Sequence, residues 1–106
     1  TEGWAVMGGE HFNRLTPAEA ERLAMLAEEA GEIVQVVGKI LRHGYESCHP
    51  DNPHSTNRDL LAKEVTDILA VIELMDQDFN VGSGGDIDTA IRKKMRFSHH
   101  QTSVGQ

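Results

Sequence analysis

The stretch TPAEAERLAMLAEEAGEIVQVVGKILRHG, Thr16 to Gly44, decides the fold class. Thr16 can cap a helix, Pro17 fits its first turn, and Glu19 completes the reciprocal capping box. Behind that start, Leu23, Leu26, Ala27, Ala30, Val34, Val37 and Leu41 recur at steps of three and four. That is the apolar stripe of an amphipathic helix. Arg42 and His43 suit a C-terminal turn, and Gly44 a stop. The spacing predicts a helix over residues 16–43. Gly31 and Gly38 each cost up to about 1 kcal/mol inside it. Their retention predicts close packing against another helix, or room beside a ligand.

Outward from this helix the pattern repeats. Residues 1–15 show no sustained period and read as an arm. Residues 44–56 hold Pro50, Pro53 and several turn formers, so they read as a loop. Thr56 or Asn57 caps a second helix over 57–80, where Leu61, Val65, Ile68, Ile72, Met75 and Phe79 carry the stripe. Asp86 or Asp88 opens a shorter third helix over 87–98, and 99–106 read as a tail. Nothing alternates as a strand should. The expected class is all-α, a single domain built on an antiparallel helical hairpin plus a short helix. So few elements leave apolar surface over, and a four-helix-bundle core completed by oligomerisation, as homodimer or homotetramer, is the expectation.

Composition narrows the partners. A net charge of −7 argues against a nucleic-acid polymer. It still allows a small phosphorylated ligand, because a divalent cation inverts the local sign. No apolar run approaches the roughly 18 residues of a membrane span. Cys48 is the single cysteine, so an internal disulfide is excluded and a reducing, cytoplasmic setting is expected.

The acids are unevenly placed. Lys63, Thr66, Ala70, Glu73 and Gln77 form an ordinary solvent-facing stripe on the second helix, but Glu64 and Asp67 do not belong to it. They lie one turn apart on a flank continued by Leu60, Val71 and Leu74. Unpaired charge there is costly, so these carboxylates are expected to be protonated, paired with a base, or bound to a metal. The first helix offers Glu29 and Glu32 at the same spacing. In an antiparallel hairpin ExxE can face ExxD, and four carboxylates then surround one point. An all-oxygen anionic site suits a hard cation, Mg²⁺ or Mn²⁺. Solvated glutamates on an acidic helix are the plainer alternative.

Other metal chemistries fit less well. A di-iron bundle uses Glu-x-x-His, and neither acidic pair has the histidine. An HD phosphohydrolase needs an adjacent His-Asp pair, which is missing. LAEEAGE is like the tail of a Nudix box, yet Ala24 and Met25 stand where Arg-Glu is needed, Glu32 stands where an apolar residue is, and the strands are lacking. In combination, Glu28-Glu29-Ala30-Gly31-Glu32 and Glu64-Val65-Thr66-Asp67 resemble the two-part signature of the MazG-like all-α nucleoside triphosphate pyrophosphohydrolases. The resemblance extends over EEAGEIVQVVGKILRHG, LLAKEVTDILAVIELM and IRKKMRF, and departs from it in the long Pro-rich loop between the two motifs.

That resemblance implies a (deoxy)nucleoside triphosphate as substrate, Mg²⁺ as cofactor, and water attack at the α-phosphorus to give monophosphate and pyrophosphate. Glu29, Glu32, Glu64 and Asp67 would be the metal ligands. Glu28 would orient or deprotonate the water, hold a further ion, or merely lie exposed. Lys39, about 10 Å beyond Glu32 along the helix, and Lys93, Lys94 and Arg96 would contact phosphates or stay solvated. Arg42 reads equally as a helix-end charge or a ligand contact. Trp4 would stack on the base or anchor the arm. Cys48, His49 and His54 lack a fourth ligand at regular spacing and read as plain loop. A reading of another class remains: a helical dimerisation or adaptor module with an acidic face.

Overall fold

In the computed structural model, residues 12–82 and 84–101 are described. The expectations for Trp4 and for most of the 1–15 arm lie outside them. The described chain is helical: α1 (Pro17–His43), α2 (Asn57–Phe79) and α3 (Ile87–Arg96), with no strand among these residues. The helix starts follow side-chain chemistry. At Thr16 and at Thr56 both halves of a capping box are present, closed by Glu19 and Asp59. Asp86 caps α3 by accepting the Thr89 N–H at 3.2 Å. Gly44 closes α1 at φ 88°, its N–H donating to the Ile40 carbonyl at 2.7 Å. Asn80 closes α2 in the left-handed conformation, which asparagine tolerates well.

α1 packs antiparallel on α2, and α3 packs along neither. Arg22 near the start of α1 pairs with Asp78 near the end of α2 at 3.4 Å. At the other end the connecting loop is tied to α2. The buried Asn57 amide donates to the Gly44 carbonyl at 3.1 Å. The Arg58 guanidinium lies 4.3 Å over the Tyr45 ring and pairs with Glu46 at 2.6 Å. The Arg58 and Asn57 N–H groups also donate to the Tyr45 and Ser47 carbonyls, both at 2.8 Å. The loop is thus laced to the first turn of α2.

The face of α1 turned to α2 is not the stripe expected from the sequence. Arg22, Met25, Leu26, Glu29, Glu32, Ile33, Val36 and Ile40 are the sheltered positions. Val34 and Leu41 stay 71 % and 81 % exposed, and Leu23 and Val37 are exposed with them. α1 carries two apolar stripes about 120° apart at 100° per residue, and one hairpin partner covers only one. α2 repeats this arrangement: Val71 and Met75 are buried while Val65 and Leu69 are exposed. In an antiparallel pair both uncovered stripes fall on the same side, so the hairpin has one apolar and one polar broad face. The expectation of close packing at Gly31 is not met within the chain, where a Cβ would meet nothing within 4 Å. At Gly38 a Cβ would meet the Arg42 guanidinium at 3.4 Å, so this glycine gives room to a side chain, not to a helix.

Met75→Ala should cost about 2–3 kcal/mol in urea unfolding, whereas Val34→Ala in dilute protein should stay within about 0.5 kcal/mol. Equal losses would show Val34 covered in solution.

Candidate functional site

Glu64 sits in the middle of the α2 face that meets α1, with Leu60 and Leu61 on one side and Ile68 and Val71 on the other. Its side chain is 13 % exposed. Glu29 is in the matching face of α1. Carboxylate oxygens of Glu29, Glu64 and Asp67 all lie within 4.8 Å of one another. Glu32 joins through a hydrogen bond with Glu64. The four acids thus meet as the facing of ExxE and ExxD requires, with three converging on one point and the fourth, Glu32, hydrogen-bonded with both Glu64 and Glu29.

Electrostatics make this an uncomfortable arrangement for bare carboxylates. Desolvation, then the charges of Asp67 and Glu64, push the Glu29 carboxyl above its ordinary value. The Glu32 carboxyl is pushed up to about 7, first by its hydrogen bond with Glu64, then by the Glu64 charge and by desolvation. A proton shared between Glu32 and Glu64 relieves part of the repulsion. Glu29 Oε2 and Glu64 Oε2 are nevertheless buried without a hydrogen-bond partner. Buried acceptors left unsatisfied are uncommon and call for an explanation. A hard divalent cation fits the donor set, which is all oxygen and anionic.

One participant was not legible as such. Lys63, read from the sequence as part of a solvated stripe, reaches back over the acids. Its ammonium lies 2.9 Å from Asp67 Oδ2 and 3.6 Å from Glu64 Oε1. Those contacts, with Asp67 foremost, hold its pKa above the usual lysine value. The signal was present as the i to i+4 spacing of Lys63 and Asp67. Part of the positive charge answering the acids therefore belongs to the chain itself.

The other expected residues are more scattered. Glu28 is exposed on the polar face, outside the converging group. Lys39 borders a separate pocket of about 320 Å³ with Arg42, His43 and the loop residues Cys48 and His49. Lys93 and Lys94 border a hollow of about 360 Å³ together with Ala90 and Phe97, made by α3 and its C-cap. Arg96 is exposed on α3. A larger pocket of about 660 Å³ opens on the apolar side, between Leu26, Leu69 and Ile72 of the hairpin and Ile87 and Ala90 of α3. Among the described residues no helix is long and apolar enough to cross a membrane.

Comparison with known proteins adds no relative: no family model matches the chain, and neither a curated protein nor a solved structure matches it.

The raised Glu32 carboxyl sets a pH dependence. The folded chain binds this proton more tightly than the unfolded chain, so its contribution to stability is complete below about pH 4.5 and lost as pH rises through about 7. The melting temperature in EDTA should therefore fall between pH 5 and pH 8, and millimolar Mg²⁺ should flatten that fall by taking the proton's place. A melting temperature that rises over this interval in EDTA would contradict the shared proton.

Proposed function

We propose that the chain is a Mg²⁺-dependent nucleotide pyrophosphohydrolase, converting a (deoxy)nucleoside triphosphate to the monophosphate and pyrophosphate. The observation that carries this reading is the convergence of Glu29, Glu64 and Asp67 within 4.8 Å, two of them with buried, unpartnered oxygens. The motif resemblance of EExxE and ExxD supplies the reaction.

Glu29, Glu32, Glu64 and Asp67 would hold the cation. Such an ion supplies neutralisation of phosphate charge and acidifies bound water. The residues do the rest. Glu32 releases its proton as the site loads, and Lys63 exchanges Asp67 for a phosphate oxygen at the rim. The oxygen of water bonds to the α-phosphorus while the bond to the bridging oxygen breaks. Pyrophosphate leaves with that electron pair, and Glu28, exposed beside the cluster, takes the proton of the attacking water. Lys93, Lys94 and Arg96 lie on α3, apart from the hairpin contact, and serve phosphates if α3 swings inward or a second copy presents them.

The same reading takes the exposed stripe of Leu23, Val34, Val37 and Leu41 with Val65 and Leu69 as the surface on which a second copy completes the bundle, in a homodimer or homotetramer. Among the described residues the buried apolar core is Val36, Val71 and Met75, a small one for a domain that must stand alone. A cytoplasmic setting suits the exposed thiol of Cys48.

Incubation with each (d)NTP and Mg²⁺ should yield monophosphate and pyrophosphate. Glu64→Gln and Asp67→Asn should lower turnover at least 100-fold, about 2.7 kcal/mol in the barrier, with helicity by circular dichroism unchanged. Release of inorganic phosphate, or full activity in both variants, would refute the assignment. No turnover of any nucleotide together with no thermal response to Mg²⁺ would favour the dimerisation module, to which the exposed apolar face also lends itself.

A further inference from the structure

The pocket at the loop end of the hairpin is chemically the opposite of the acidic cluster. It is closed by the last turn of α1, the loop and the first turn of α2, and Lys39, Arg42, His43 and His49 all border its volume of about 320 Å³. Neither Lys39 nor Arg42 takes part in an ion pair among the described residues. The nearby acids are engaged elsewhere. Glu46 is paired with Arg58 at 2.6 Å, and Asp59 closes the Thr56 capping box. Asp51 lies 3.6 Å from His49 Nδ1 and is largely in solvent. His49 Nδ1 accepts the Asp51 backbone N–H at 3.0 Å, which leaves Nε2 as the protonated, donating nitrogen.

Distance along the helices relates this pocket to the acids. Lys39 lies about 10 Å beyond Glu32, and Leu60, which also borders the pocket, about 6 Å before Glu64, at 1.5 Å per residue. On α1, Glu28, Glu32 and Lys39 share the polar broad face of the hairpin. Along that face the acidic cluster and the basic pocket are therefore separated by about two helical turns. A ligand that fits both ends is anionic throughout and carries a divalent cation at one of them, as a metal-bound polyphosphate does.

We propose that this pocket is a phosphate subsite, in which Lys39, Arg42 and His49 bind the two outer phosphates of the triphosphate and then the pyrophosphate product. The inference rests on the pyrophosphohydrolase reading for its ligand, but binding at the pocket is separable from catalysis. Lys39 and Arg42 supply charge from α1, and the loop supplies a ring N–H at His49 Nε2. The Pro-rich loop, whose length departs from the resembled family, then has a purpose: laced to α2 through Tyr45, Ser47 and Asn57, it forms the outer wall of the pocket.

Inorganic pyrophosphate, titrated into the full chain in EDTA at constant ionic strength, should give saturable amide shifts in ¹H–¹⁵N spectra confined to residues 39–49 and 57–60. The double variant K39Q/R42Q should weaken binding at least ten-fold, K39R should retain it, and D67N should retain it even though turnover is lost. If nucleotides are not hydrolysed but pyrophosphate still binds here, the subsite stands and the enzymatic reading falls. Shifts centred on Lys93 and Lys94, shifts reproduced by chloride at the same ionic strength, or unchanged affinity in K39Q/R42Q would overturn the subsite.

Discussion

Glu64 occupies the centre of the surface by which α2 packs on α1, a position where burial normally selects an apolar side chain. Everything around it follows from having to keep a carboxylate there. Glu29 and Asp67 add charge at the same point, and repulsion in a sheltered seam is far less screened than at a surface. The ammonium of Lys63 offsets part of it, and the Glu32 carboxyl is pushed up to about 7. Apolar contact is displaced to either side, with Met25, Leu26, Val71 and Met75 toward one end and Ile33, Val36, Ile40, Leu60 and Leu61 toward the other. Polar ties then fix the ends: Arg22 to Asp78, and Asn57 to Gly44. Such a seam costs stability, since removing like charge from it would strengthen the helix contact.

The second consequence is the division of the hairpin into two broad faces. The seam acids open toward the side carrying Glu28, Glu32, Lys39 and Lys63, where charge is solvated. The opposite side carries the uncovered stripes of both helices and, near the end of α2, the pocket bordered by α3. A charged face and an apolar face separated in this way can be elaborated independently.

The all-helical class, the capping residues and the meeting of ExxE with ExxD were legible because each depends on local spacing. Thr16-Pro17 with Glu19 fixes a helix start irrespective of context, and two acids at i and i+3 share a face in any helix. What was not legible depends on which of two stripes meets the partner. Leu23, Val34 and Leu41 make a stripe as regular as Met25, Leu26, Ile33, Val36 and Ile40, and periodicity alone does not rank them. The inner stripe is the one containing Glu29 and Glu32, so a hydrophobicity pattern undervalues it. Lys63 was missed for a related reason: its Cα faces solvent, and only its long side chain returns to the acids.

The proposed chemistry requires this seam to bind a divalent cation. Mn²⁺ added at substoichiometric amounts to ¹⁵N-labelled protein should broaden amides around residues 29–32 and 63–67 first, with the effect abolished in Glu64→Gln and reversed by excess Mg²⁺. Broadening spread evenly over all exposed acids, or unchanged in Glu64→Gln, would contradict it.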